Sequence, residues 1–138
     1  MNNNKQIGRI GLVKAIEYFT IGGYTVSLPL NDTQYYDLIV EKDSVLFTVQ
    51  CKATKTEDCK IDFRATGGTN GAVYGNVLDS AVDYLFCVDK DLNCYLIPKK
   101  DLIDFGNRNS ITLRTTVAKN KQGFPSYKYL VVNGLVTL

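Results

Sequence analysis

The sequence predicts a mixed α/β domain whose largely antiparallel sheet is flanked by helices. Three observations predict it. Leu12, Ala15, Ile16 and Phe19 form one apolar stripe at helical spacing within residues 5–20. Short apolar runs bounded by turn residues follow, above all at 24–30, 35–42, 45–54, 84–88 and 94–97. The chain has 138 residues, 45% of them hydrophobic, enough for one real core.

Each element has a local cause. The first helix ends at Gly22-Gly23. Tyr24 to Leu30 reads as a strand, and Pro29 places it at a sheet edge or strand end. Asn31-Asp32-Thr33 is a turn. Tyr35 to Lys42 is the next strand, Asp43-Ser44 a tight turn, and Val45 to Thr54 its hairpin partner. Lys60 to Arg64 alternates as a short strand. Thr66 to Gly71 reads as a flexible loop; it lacks the lysine and the strand-to-helix setting of a phosphate loop. Tyr84–Val88 and Cys94–Ile97 form a second hairpin around residues 89–93. Pro98 starts a short helix that runs to Phe105 and is closed by Gly106. Ser110 to Leu138 mixes short β-like runs with a polar loop at 119–123. No repeat, low-complexity tract or linker divides residues 1–138, so one domain is expected.

Composition excludes several chemistries. The chain has no histidine, so Ser-His-Asp, Cys-His and histidine acid–base mechanisms are ruled out. Cys51, Cys59, Cys87 and Cys94 match no zinc spacing. Cys51 and Cys87 lie inside apolar runs, which predicts buried, reduced thiols. No apolar run approaches the ~20 residues of a membrane span, and the N-terminus shows no signal-peptide pattern. A soluble cytoplasmic protein is the expectation. The net charge of +2 conceals an asymmetry. Lys99, Lys100, Arg108, Arg114, Lys119, Lys121 and Lys128 face only Asp101 and Asp104 in the last third of the chain. The remainder is net acidic. That division suits a polyanion-binding face beside a metal site, as well as an ordinary solvated basic surface.

The chemistry concentrates in Tyr36-Asp37-Leu38-Ile39-Val40-Glu41 and Gln50-Cys51-Lys52. Residues i and i+2 of a strand share a face, so Gln50 and Lys52 point together while Val49, Cys51 and Ala53 point inward. If the two runs pair, Asp37 joins Gln50 and Lys52 on one patch. A lone carboxylate in an apolar strand is costly unless it meets a metal, a lysine or water. An acid, an amide oxygen and an ammonium suit a divalent metal that attacks a phosphodiester. The plain alternative is the polar side of a half-exposed strand. Glu41 shares Asp37's face but lies roughly 13 Å along the strand, too far for one metal.

Asp37, the hairpin and Gln50-Cys51-Lys52 resemble the PD-(D/E)XK nuclease superfamily. Tyr36 stands where the motif has proline, and Gln50 replaces the second acid. Gln in that slot resembles the group I intron-encoded homing endonucleases of the superfamily; the chain is also similar to Holliday-junction resolvases. Gly23-Tyr24-Thr25-Val26-Ser27, entering the first strand, looks like the same family. The resemblance covers residues 5–55 well and 84–102 more loosely. It implies a restriction-endonuclease-like core with a mixed central sheet. It implies Mg²⁺, with Mn²⁺ as a substitute, held by Asp37, the Gln50 amide oxygen and the main-chain carbonyl of Cys51. Lys52 would orient or deprotonate the attacking water. Glu17, on the preceding helix, would fill the superfamily's helix-glutamate role at the metal; its alternative is an exposed residue paired with Lys14.

Lys55, Lys60, Arg64, Arg108, Arg114, Lys119 and Lys121 are the candidate contacts to DNA. Tyr74 and Tyr127 could also reach DNA, though packing suits them better. The expected partner is double-stranded DNA, read by a homo-oligomer, dimer or tetramer, because so small a chain needs a copy to cut both strands. The expected function is site-specific double-strand cleavage of homing or restriction type. A structure-selective junction resolvase and a DNA-binding module with a weakened site are the alternatives.

Overall fold

A computed structural model describes residues 4–31, 34–67, 72–106, 109–117 and 122–131. Helix α1 spans Asn4–Ile21. Its stripe faces the sheet: Ala15 and Phe19 are buried, and Leu12 and Ile16 pack beside them. The strands are β1 (Thr25–Ser27), β2 (Leu38–Lys42), β3 (Val45–Ala53), β4 (Lys60–Asp62), β5 (Arg64–Gly67), β6 (Ala72–Asn76), β7 (Tyr84–Val88), β8 (Cys94–Pro98), β9 (Ser110–Thr112) and β10 (Leu130–Val131). Helix α2, Lys99–Phe105, follows β8.

Six strands form the central sheet in the order β1-β2-β3-β7-β8-β10. Four of its pairings are antiparallel; β3 and β7 run parallel, with Gln50 opposite Leu85 and Lys52 opposite Cys87. The sheet is therefore mixed. The connection between β3 and β7 is long enough to allow the parallel pairing, and it carries β4, β5 and β6.

Two cores lie on the two faces. On one, α1 covers Leu38, Val40, Val49, Cys51, Phe86 and Val88. Phe19 and Phe86 rings are 6.0 Å apart between centroids. On the other, Leu85, Cys87, Tyr95 and Ile97 meet Ile61, Phe63, Leu102, Ile111 and Leu113. This second face is covered by the small β4–β9 pair and α2 rather than by a long helix. All four cysteines are free and buried, which the apolar runs predict for Cys51 and Cys87. Among the described residues no helix is long and apolar enough to cross a membrane.

The predicted Tyr35–Lys42 strand is shorter than expected, because residues 34–37 lead in irregularly before the ladder starts at Leu38. Asp43 and Ser44 take positive φ of 54° and 66°, which fits a tight two-residue hairpin. The glycine-rich stretch expected as a loop flanks a second hairpin: β5 and β6 pair antiparallel on either side of residues 68–71, which lie outside the described ones.

Candidate active site

The site is built where β2 gives way to its lead-in. Leu38 pairs with Val49, and Asp37 N–H donates to the Val49 carbonyl at 2.8 Å. Directly opposed residues of an antiparallel pair share a face. Leu38 and Val49 are buried against α1, so Gln50 and Lys52 project to the opposite face; Asp37, one residue before the ladder, is held at the same strand by its bonds to Val49 and Cys51. Lys52 lies beside Cys87 of β7 there, and Gln50 beside Leu85. All three predicted residues thus converge, each half-buried.

The Asp37 carboxylate is fixed by a second bond. The backbone N–H of Cys51 donates to Asp37 Oδ2 at 2.8 Å. Burial raises the Asp37 carboxyl above its ordinary value; the Cys51 N–H and the Lys52 ammonium oppose this only in part. A half-desolvated carboxylate with unused lone pairs is a fitting ligand for a hard cation. Burial, then Asp37, then Cys87, push the Cys51 thiol well up. A thiol kept protonated is a poor ligand, which leaves the Cys51 main chain as its available oxygen donor. Its N–H faces the β2 side, and along a strand the carbonyl of a residue leaves on the same edge as its N–H. That edge is where Asp37 stands. The donor set is one carboxylate, one amide and one main-chain carbonyl, which suits a small oxygen-seeking cation that keeps several waters.

Gly11 of α1 sets Lys52 from behind. A Cβ on Gly11 would lie 3.3 Å from the Lys52 carbonyl carbon and 3.4 Å from its oxygen. A side chain there would make the helix or the strand give by a few tenths of an ångström. In front, Gly75 of β6 has φ +146° and would bring a Cβ to 2.9 Å from the Tyr35 hydroxyl, which ties the β5–β6 hairpin to the lead-in of Asp37.

Glu17 does not join this cluster. It lies two residues from both Ala15 and Phe19, about 200° around the helix, on the exposed stripe with Val13 and Thr20. Its carboxylate pairs with Lys14 at 3.6 Å. Its charge is felt at Cys94 on β8, two strands beyond β3. The helical period thus places Glu17 in the exposed, Lys14-paired setting that was the alternative to its metal role.

Of the expected DNA contacts, Lys55, Lys60, Arg64 and Arg114 are exposed. Lys60 and Arg114 line one groove of about 370 Å³ at the β4–β9 pair. Arg64 is engaged by Asp62, with Nη2 to Oδ2 at 2.6 Å and Nε to Oδ1 at 3.1 Å. Arg108, Lys119 and Lys121 lie outside the described residues. So does the side chain of Tyr74. Tyr127 is half-buried and lines a separate groove with Arg114. Gly11 beside Lys52 was not expected, nor was the Asp62–Arg64 pair. A glycine four residues before a buried alanine of a helical stripe signals a close approach. Asp62-x-Arg64 at strand spacing signals a same-face pair.

A model of the PD-(D/E)XK endonuclease family matches residues 2–129. A solved bacterial homing endonuclease, I-Ssp6803I, has a similar fold, with TM-score 0.74 and 22% identity over 94% of this chain and 89% of that one. A search of curated protein sequences finds no match.

Proposed function

The chain belongs to the PD-(D/E)XK endonuclease family, and from that premise we propose that it is a Mg²⁺-dependent, site-specific double-strand DNA endonuclease of homing type. The observation that carries the proposal is the convergence of Asp37, Gln50 and Lys52 on one sheet face, tied by the Asp37–Cys51 hydrogen bond. The fold likeness to a homing endonuclease supports the finer reading.

Asp37 would hold the metal through the carboxylate oxygen that the Cys51 N–H does not take, and Gln50 and the Cys51 carbonyl would add neutral oxygens. A bound divalent cation polarises the scissile phosphate and lowers the pKa of its water. Mn²⁺ would substitute in the same oxygen set. Lys52 stands beside it on an apolar floor of Leu85 and Cys87. There its ammonium orients the attacking water and offsets charge that develops on the phosphate. The amide at Gln50 removes one negative charge from the site, so the metal depends more on Asp37 and on the DNA phosphate itself. Lys55, Lys60, Arg64 and Arg114 carry the backbone contacts that fix the duplex. Arg108, Lys119 and Lys121 extend that basic set in sequence. Two active sites, supplied by a dimer or tetramer, cut the two strands.

The test is incubation of the purified protein with supercoiled plasmid, a randomised linear library and a four-way junction, with Mg²⁺ or EDTA. Discrete linear products that need metal are expected. Nicking confined to the junction would make the protein a resolvase, and binding without cleavage would make it a DNA-binding module.

A further inference from the structure

We propose that the outward face of the β4–β9 ribbon reads the base sequence of the DNA, with Thr112 and Ser110 in the groove and Lys60 and Arg114 on the phosphates beside it. The inference deepens the nuclease reading and rests on it. Lys60 pairs with Thr112, Ile61 with Ile111 and Asp62 with Ser110. Two further bonds lengthen the ribbon. Leu113 N–H donates to the Cys59 carbonyl at 2.9 Å, and Phe63 N–H to the Asn109 carbonyl at 2.7 Å. Ile61, Phe63, Ile111 and Leu113 are buried with Leu85 and Cys87 of the central sheet. Gln50 lies beside Leu85 and Lys52 beside Cys87, so the ribbon covers the side of the sheet toward which both project. Alternation along each strand then turns Lys60, Ser110, Thr112 and Arg114 away from the sheet, toward solvent.

This face carries the groups a duplex needs, and they are uncommitted. Among the described residues the Thr112 hydroxyl has no hydrogen-bond partner, and Lys60 and Arg114 have no ion pair. The acids nearby are engaged. Asp62 is paired with Arg64, and Asp58 accepts from the Thr56 hydroxyl at 2.7 Å and from Lys60 N–H at 3.2 Å. Lys60, Ser110, Thr112 and Arg114 line one groove of about 370 Å³. The Arg114 end is fixed from beneath. Ser126 is fully buried, and its Oγ accepts from Arg114 N–H at 2.8 Å and lies 3.3 Å from the carbonyls of Thr112 and Arg114. A two-stranded ribbon fits the major groove of B-DNA, where a hydroxyl can donate or accept and a threonine methyl can meet a thymine methyl. Phosphate contacts fix register but carry no sequence. The two cations therefore position the ribbon, and the hydroxyls discriminate between bases.

The test is selection of bound duplexes from a randomised library, with Ca²⁺ in place of Mg²⁺, by the full chain and its Thr112→Val, Ser110→Ala and Lys60→Gln variants. Valine keeps the β-branched shape that suits a strand and exchanges the hydroxyl for a methyl. Wild type should enrich a defined sequence. Thr112→Val should lower the preference at one or two adjacent base pairs by on the order of 10-fold, with the salt slope of binding unchanged. Ser110→Ala should act at a neighbouring pair. Lys60→Gln should weaken binding to every sequence alike and flatten the slope, with the enriched sequence unchanged. A wild-type preference that Thr112→Val and Ser110→Ala both keep, or one that Lys60→Gln alters instead, would overturn the inference. An enriched sequence that wild type binds but never cuts with Mg²⁺ would sink the nuclease reading alone, because the selection reads the ribbon without cleavage.

Discussion

The backbone N–H of Cys51 donates to the Asp37 carboxylate at 2.8 Å, binding the acid to the strand that carries Gln50 and Lys52. One hydrogen bond thus links both halves of the site. It takes one carboxylate oxygen and leaves the other open. It also spares Asp37 an unpaired burial that would cost on the order of 1–3 kcal/mol.

The raised Asp37 carboxyl makes a stability prediction with a definite sign. A folded-state pKa above the unfolded one contributes stability at low pH that is lost as pH rises through the folded value. At neutral pH the ionised Asp37 therefore costs metal-free stability. Asp37→Asn keeps an oxygen for Cys51 N–H and loses that cost. Thermal melts in EDTA should place Asp37→Asn above wild type at pH 7, with the gap closing toward pH ~4. Saturating Mg²⁺ should raise the wild-type midpoint and leave the variant unmoved.

Gln50 separates a ligand from a surface residue. As the polar side of a strand, Gln50→Ala would change stability by about 0.5 kcal/mol and little else. As a metal ligand, Gln50→Ala should slow cleavage strongly at limiting Mg²⁺ while folding and DNA binding persist. Gln50→Glu should retain activity and need less metal, because a carboxylate offers an oxygen at nearly the same reach. Single-turnover rates across a Mg²⁺ series read the difference.

Gly11 supports Lys52 through shape alone. Gly11→Val would force methyl groups into the Lys52 peptide, where a bare Cβ already meets it at 3.3 Å. Overpacking of this kind costs about 1–3 kcal/mol. Urea titration should show that loss, and the cleavage rate of the folded fraction should fall as well, since the strand carrying Lys52 must shift.

Neutralising the basic set should show in salt dependence. Replacing Lys55, Lys60 and Arg114 by glutamine should flatten the slope of log affinity against log salt by about 0.9 for each phosphate no longer neutralised. An unchanged slope would make these side chains solvated surface rather than DNA contacts.

Much of this was legible in the sequence, for local reasons. The Asp43-Ser44 turn fixes the β2–β3 register, which brings the start of β2 beside Val49, and hydrogen bonds to Val49 and Cys51 hold Asp37 there. The first helix, the β7–β8 hairpin and α2 likewise follow from nearby stripes, turns and caps. What sequence reasoning did not supply is non-local. The parallel β3–β7 pairing joins strands separated by β4 and the β5–β6 hairpin, and nothing in either run names its partner. The β4–β9 pair covers the Cys87 face, and nothing local to β4 says so. For Glu17, the resemblance that suggested a metal role says nothing of the helix face it occupies. The buried stripe through Ala15 and Phe19 does, and it points Glu17 to solvent.

The most direct measurement of the central claim is single-turnover DNA cleavage by wild type, Asp37→Ala and Lys52→Ala, each shown to be folded and to bind DNA. Wild type should cut only with a divalent metal. Each substitution should lower the rate by at least ~100-fold with DNA affinity largely kept. Full cleavage in EDTA, or by either variant, would contradict a metal site built on Asp37 and Lys52.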